Sequence, residues 1–311
     1  MKAKRILITP RSLSNGGHSA LAPLTEAGFK LVMPAPGATP SEHQLIAAVP
    51  GCVGWLAGVE KVSEAVIAAA DHLRVVSRNG TGIDNLPLNA LETRGIAVCR
   101  AEGANARGVA ELALTLALAG IRRVIPTHTG MKSGQWPRQI GREIAGAEVA
   151  VIGLGAIGAS FSEFCLALGA YVRGFDPYAN AERVVHPNFR RGTLAEVLAG
   201  ANIISLHAPM PQDGRPLIAA EQITGFAKGA VVVNTARAGL IDPAAMIAAL
   251  NLGQIGTYAT DVFDQEPPEP SALLLHPGVV LTSHIGGFTH ESVERATSHA
   301  VRNLLEALYA A

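Results

Sequence analysis

Three side chains able to hold an anion or move a proton follow three apolar runs late in the chain. Arg237 follows the run 230–234, in Thr235-Ala236-Arg237. Glu266 follows the run 255–260, in Asp261-Val262-Phe263-Asp264-Gln265-Glu266. His284 follows the run 279–282, in Ser283-His284-Ile285-Gly286-Gly287. Open α/β sheets bind ligands outside the carboxyl ends of their strands, so three such positions on one sheet face one cleft. The planar fork of an arginine suits a small carboxylate. An imidazole changes charge near neutral pH and suits proton transfer. Taken singly, Arg237 reads equally as a surface cation and Glu266 as a solvated loop acid. His18, His128, His290 and His299 read as loop or exposed helix residues, and His207 as a lining residue of the cleft.

A second pattern lies upstream. Gly153-Leu154-Gly155-Ala156-Ile157-Gly158 directly follows the apolar run 149–152 and opens a helical stretch. The first glycine suits a tight turn, the second a close approach of a pyrophosphate, and the third close helix–strand packing. A phosphate there meets free N–H groups at a helix N-terminus. Asp176 lies 23 residues after Gly153, at the end of the next run. A carboxylate in that place accepts from a ribose 2′-hydroxyl and repels a 2′-phosphate. Pro177 and Tyr178 follow it, with no Arg or Lys, so the pattern favours NAD over NADP.

These residues need a frame. Strands are expected at 5–8, 30–33, 52–57 and 73–77, with helices at 19–28, 41–49 and 63–70 between them. Asn15-Gly16-Gly17 marks a turn, and Ser41 with Gln44 has the capping-box spacing. Strands alternating with helices imply a parallel sheet covered on both faces. A helix at 105–122 is apolar all round, as an element buried on several sides would be. The stretch 130–142 reads as polar and irregular. A second alternating series follows, with strands at 148–152, 170–175, 203–206, 230–234, 255–261 and 279–282. Its helices fall at 157–168, 193–198 and 243–250, and a final helix at 289–308. The fingerprint begins in mid-chain, after a whole α/β segment, so the first segment is expected to be a domain of its own.

Composition excludes several classes. The chain has 311 residues with 25 basic and 25 acidic side chains, so no broad basic surface for nucleic acid is expected. An apolar content of 49% with 16% charge is the opposite of a disordered chain. Three cysteines (Cys52, Cys99, Cys165) cannot make a disulfide framework. No run approaches the ~18 apolar residues of a membrane span, and the basic N-terminus lacks a signal-peptide core. A reducing cytoplasm is the expected setting, and no metal site is expected.

The motifs together resemble the D-isomer-specific 2-hydroxyacid dehydrogenases over nearly the whole chain. They include Gly80-Thr81-Gly82-Ile83-Asp84-Asn85, Gly103-Ala104-Asn105, the glycine fingerprint, Leu206-His207-Ala208-Pro209, Asn234-Thr235-Ala236-Arg237, Asp261 to Glu266, and Ser283 to Gly287. The resemblance implies two Rossmann-like doubly wound parallel-sheet domains with a cleft between them. Residues 1–100 and 287–311 would form a discontinuous substrate domain, and 101–286 the NAD-binding domain. Arg237 would bind the substrate carboxylate. His284 would be the acid/base, and Glu266 would orient it and favour its protonated form. Backbone amides around Asn79, Gly80 and Thr81 would hold the other side of the carboxylate. The cofactor would contact Thr81, Gly153, Gly155, Ala156, Ile157, Gly158, Asp176, His207, Ala208, Pro209, Thr235, Ala236, Asp261, His284, Gly286 and Gly287.

Two positions depart from the family. Ala156 stands where an arginine is common, which removes one phosphate contact. Ala238 stands where glycine is common after the arginine. Glu266, where the similar formate dehydrogenases carry Gln, favours a hydroxyacid over formate. The first domain looks most like phosphoglycerate dehydrogenase, here without a regulatory domain after the last helix, and Arg11 and Arg78 are candidate cations for a phosphate. The alternatives are a glyoxylate or hydroxypyruvate reductase, and an NAD(H)-sensing corepressor-like binding protein. The resemblance also implies a homodimer, for which the 105–122 helix and the 130–142 arm are suited.

Overall fold

A computed structural model describes residues 4–16, 18–178 and 183–310. Gly17 of the expected turn lies outside the described residues. The chain divides into two compact units, 1–105 with 289–311, and 106–288.

The first unit alternates β1 (Arg5–Ile8), α1 (Ala22–Glu26), β2 (Lys30–Val32), α2 (Glu42–Ala48), β3 (Cys52–Ala57), α3 (Glu64–Ala69), β4 (Val75–Arg78), α4 (Leu88–Thr93) and β5 (Ala97–Arg100). Its five strands are parallel, in the order β2-β1-β3-β4-β5. Alternate residues of a strand point to opposite faces. Ile6, Ile8 and Leu56 therefore pack on one side with Leu24 and the final helix residues Ala300 and Leu304. Leu7, Trp55 and Ala57 pack on the other, with Leu45, Val66 and Leu91 from α2, α3 and α4. The capping box is present: Gln44 N donates to Ser41 Oγ and Ser41 N to Gln44 Oε1.

The second unit holds α5 (Ala106–Ile121), α6 (Val124–Lys132), β6 (Glu148–Ile152), α7 (Ala156–Ala167), β7 (Tyr171–Phe175), β8 (Phe189–Arg191), α8 (Leu194–Leu198), β9 (Ile203–Leu206), α9 (Ala220–Thr224), β10 (Ala230–Asn234), α10 (Pro243–Asn251), β11 (Ile255–Thr260) and β12 (Val279–Leu281). The seven strands are parallel, in the order β12-β11-β10-β9-β6-β7-β8. Strand order reverses between β6 and β9, which is where a doubly wound sheet opens a crevice for a ligand. The last helix, α11 (His290–Ala310), belongs to the first unit. Ser77 Oγ donates to Ala300 O (2.7 Å) and ties α11 to β4.

The structure departs from the sequence reading in places that have physical reasons. The unit border falls after Asn105, not at 100/101, because Ala101 and Ala104 sit in the first unit's core and Arg295 Nε donates to Ala104 O. Helix α5 keeps the burial on several sides expected of it: it packs on α7 and on β10 and β11 of its own unit, and only the stripe Arg107, Glu111 and Thr115 is exposed. A Cβ on Gly120 would lie 2.7 Å from Val231 Cγ1, so the small residues bring this helix close to the sheet. The stretch expected to be irregular from 130 begins inside α6, which Arg123 separates from α5 by a left-handed turn at φ 55°. The unforeseen β5 and β8 are edge strands with exposed arginines, and such strands carry little apolar signal. No described helix is long and apolar enough to cross a membrane.

Candidate active site

The second unit gathers its polar side chains at the carboxyl ends of its strands. Asn234, the last residue of β10, is fully buried. Its Oδ1 accepts from Ala236 N (3.1 Å) and its Nδ2 donates to Arg237 O (2.8 Å). One side chain thus folds the turn that presents Arg237. The guanidinium stays partly exposed, with Nη1 donating to Ala236 O at 2.7 Å.

His284 sits just beyond β12 in a left-handed conformation, φ 54°, which a non-glycine residue adopts only where its surroundings impose it. Asp261, directly after β11, does so. It is 2% exposed. Its Oδ1 accepts from Thr282 Oγ1 (2.6 Å) and Ile285 N (2.8 Å), and its Oδ2 from Gly286 N (2.8 Å). A Cβ on Gly286 would lie 3.1 Å from Asp261 Oδ2. The small residue at 286 therefore makes room for this carboxylate. Both Asp261 oxygens are engaged by the chain itself. The ring of His284 projects outward, half exposed, and its Nδ1 lies 2.7 and 2.8 Å from the two oxygens of Glu266. Glu266 Oε1 also accepts from Phe263 N at 3.4 Å. Nδ1 faces the carboxylate, so Nε2 is the ring nitrogen left for another molecule.

The fingerprint occupies the crevice between β6 and β9. Gly153 has φ +93°, and a Cβ there would lie 2.7 Å from the His207–Ala208 backbone. A Cβ on Gly158 would lie 1.8 Å from Gly153 O. Those two glycines are required by the fold. Gly155 meets nothing within 4 Å, so its space is open. It precedes α7 with no side chain capping the helix, and Ala156 is exposed beside a half-buried Ile157. Asp176 Oδ2 accepts from Leu154 N (2.8 Å) and Oδ1 from Tyr178 N (2.8 Å), which holds the acid beside the fingerprint. Arg191, at the end of β8, donates Nη2 to Asp176 O at 2.9 Å. This cation stands 15 residues after the acid, beyond the reach of a local motif, and the pairing of β7 with β8 brings it alongside.

His207 follows β9 and packs its ring against Phe161 at 5.2 Å. Its Nε2 lies 2.8 Å from Ser205 Oγ, and its Nδ1 is enclosed with no partner among the described residues. Burial lowers this imidazole to about 3, so it is neutral at physiological pH. Thr235 Oγ1 is likewise enclosed without a partner. An open glycine, an uncapped helix N-terminus, a ribose-type acid and two orphaned polar atoms fit a dinucleotide such as NAD. Pro209 is exposed, and Ala208, Thr235 and Gly287 are partly so. Ala236 is buried.

The expected carboxylate loop belongs to the first unit. Here two of its three amides are already engaged. Asn79 N donates to Ala57 O (2.8 Å) and Gly80 N to Arg78 O (2.9 Å). Thr81 N has no backbone partner among the described residues, and it is the donor this loop can offer. Arg78, a candidate phosphate cation, points Nη1 at Asn79 O (2.5 Å) beneath Gly80. Arg11 is exposed. Asn234 and Thr282 hold the turns around the site and are not foreseen from the sequence. The only sign of them is a polar residue ending or following an apolar run.

Residues 114–286 match the family model of the D-isomer specific 2-hydroxyacid dehydrogenase NAD binding domain. The chain belongs to that family. D-3-phosphoglycerate dehydrogenase of Archaeoglobus fulgidus is 36% identical over 235 residues, 75% of this chain and 45% of the relative. The enzyme of that name from Mycobacterium tuberculosis is 35% identical over 272 residues, 86% of this chain and 52% of the relative. The chain thus spans about half the length of the curated relatives it matches. A crystal structure of a Thermus thermophilus protein superposes with a TM-score of 0.86 at 30% identity, over 98% of this chain and 97% of that one. A glyoxylate reductase from Paecilomyes thermophila shares the fold, with a TM-score of 0.84 at 21% identity over 99% and 96% of the two chains. Both structures share the fold described above.

Proposed function

We propose that this family member is an NAD-dependent D-2-hydroxyacid dehydrogenase. It interconverts a small 2-hydroxy acid and its 2-keto acid at C2. The observation that carries this reading is the His284–Glu266 pair, 2.7 Å apart, on a loop that Asp261 pins in a left-handed turn. Glu266 orients the imidazole through Nδ1. Nε2 gives a proton to the carbonyl oxygen in reduction and takes it back in oxidation. Arg237 holds the carboxylate, with Thr81 N as a further donor for the substrate. Gly153, Gly155, Ala156, Ile157, Gly158 and Asp176 hold the pyrophosphate and ribose of the cofactor, with His207, Ala208, Pro209, Thr235, Ala236 and Gly287 lining its site. Bound NAD(H) supplies or accepts the hydride. Asp261, Thr282 and Gly286 position His284.

The relatives named for D-3-phosphoglycerate favour a three-carbon acid, and the reductase neighbour keeps glyoxylate and hydroxypyruvate in the panel. A cytoplasmic setting is supported by three free thiols, of which burial pushes Cys165 up to about 12 and so keeps it unreactive. A homodimer is supported by exposed apolar residues on α6 and the arm after it. Met131 is 46%, Trp136 75% and Ile140 100% exposed.

A spectrophotometric panel of 2-keto acids with NADH tests the reading, with glyoxylate, hydroxypyruvate, its phosphate ester and sulfonated analogues included. NADH oxidation with at least one of them is expected. No oxidation with any 2-keto acid would remove the dehydrogenase assignment.

A further inference from the structure

The loops at the carboxyl ends of β1, β3 and β4 close over a buried acid that the reaction above does not use. Strand order reverses between β1 and β3, the ligand-binding position of such a sheet. Glu60 is 2% exposed there. Its Oε1 accepts from the Thr9 hydroxyl and from Gly58 N, the latter at 3.0 Å. Thr9 Oγ1 accepts in turn from Trp55 Nε1 at 2.9 Å. Asn85 Nδ2 donates to Gly58 O (3.2 Å) and Glu60 O (2.7 Å). A Cβ on Gly58 would lie 2.6 Å from Glu60 Oε2, so the acid fills the space beneath that loop.

The same loop is tied to the next one. Asn79 N donates to Ala57 O. Gly80, at φ +147°, sits on the Arg78 guanidinium: a Cβ there would lie 2.9 Å from Nη1. The β3 loop, the β4 loop and the buried acid therefore form one braced unit. Glu60 has too little exposed surface to touch a ligand, and burying a carboxyl is costly.

We propose that Glu60 is a positioning residue for substrate, fixing the Asn79–Thr81 loop through Thr9, Gly58 and the Ala57–Asn79 bond so that Thr81 N is presented to the substrate carboxylate. This rests on the dehydrogenase reading. The role needs the acceptor oxygen Oε1, which the Thr9 hydroxyl and Gly58 N share. Burial, the largest influence on the carboxyl, pushes it up towards its neutral form, while its bonds with Thr9 and Gly58 and the charge of Arg78 act the other way. Glutamine keeps the acceptor. Alanine leaves the Thr9 hydroxyl and the Gly58 N–H without it.

The test is steady-state kinetics on a 2-keto acid that the wild type reduces, with NADH affinity measured separately. E60A is expected to raise KM for the keto acid about tenfold, with kcat within about threefold. NADH affinity should stay within about twofold, because the fingerprint lies in the other unit. E60Q should restore KM to about the wild-type value. T9V, which removes the shared hydroxyl, should raise KM in the same direction, and it decides the matter if E60A does not fold. Unchanged KM in T9V, E60Q as damaging as E60A, or NADH affinity falling in step with KM would overturn the proposal. A wild type that reduces no keto acid would overturn the dehydrogenase reading and this role with it.

Discussion

Asp261 and Glu60 are built alike although they follow different strands of their sheets, β11 and β3. Each is a buried carboxyl just beyond a strand's carboxyl end, each 2% exposed, and each gathers donors from neighbouring loops. What their loops carry differs. Asp261 pins a segment that pushes a titratable ring, His284, into the open. Glu60 braces a segment that carries only Asn79, Gly80 and Thr81, with its one cation, Arg78, turned beneath Gly80. On the proposed reading the two acids serve two tasks: Asp261 places the proton-transfer group, and Glu60 steadies a loop that offers the substrate a backbone donor. The buried acid is the common device.

The two units differ most in the cation they offer: Arg237 is partly exposed, and Arg78 lies beneath Gly80. Arg237→Gln keeps hydrogen-bonding capacity and loses the charge and the fork. We expect kcat/KM for the keto acid to fall about 100-fold or more. A loss under tenfold would move carboxylate binding to the first unit. Next comes the device itself. Asp261→Asn sets an amide N–H₂ against one of three donors, at a cost of about 1–3 kcal/mol. A kcat about tenfold lower is expected, with a lower Tm, whereas E60Q is silent. Equal silence in both would mean that His284 keeps its place without one of the Asp261 acceptor oxygens.

Asp176→Ala sharpens the cofactor side. The preference for NADH over NADPH should relax about tenfold, measured as a ratio of kcat/KM values. Arg191 lies close enough to this acid that an unchanged ratio would transfer the discrimination elsewhere.

Another effect is on stability and leaves the reaction aside. His207 has its imidazole lowered to about 3 by burial, below the value near 6.5 of an unfolded chain. The unfolded state then binds the extra proton first, so stability falls as pH drops below about 6.5 and keeps falling towards 3. Between pH 7.5 and 5 the group accounts for about 2 kcal/mol of lost stability. His207→Gln should flatten that part of the unfolding profile measured in urea. An unaltered slope would mean that the ring takes up its proton without penalty.

Much of the second unit's site is legible in the sequence, because the fingerprint, His207 and Arg237 follow buried strands, and only His284 follows a short edge strand, β12. β6, β9 and β10 read directly as apolar runs, and the residues after them are the ones that matter. The first unit is less legible. Thr9, Glu60 and Arg78 are scattered singly after three short strands, and only the order β2-β1-β3-β4-β5 brings them together. Asp261 shows the same limit. Its position after β11 is plain in the sequence, but its two oxygens turn to backbone N–H groups at 285 and 286, a partnership set by the left-handed turn at His284. Side chains that hold backbone leave almost no trace in residue type.

The central claim is that His284, held by Glu266 and Asp261, moves the proton. Single-turnover reduction of a 2-keto acid by NADH-saturated protein measures that step directly, in wild type and in His284→Ala. The variant should bind NADH within about twofold of wild type and transfer hydride about 1,000-fold more slowly. A His284→Ala protein that completes the turnover within tenfold of the wild-type rate would contradict the assignment of His284 as the proton donor.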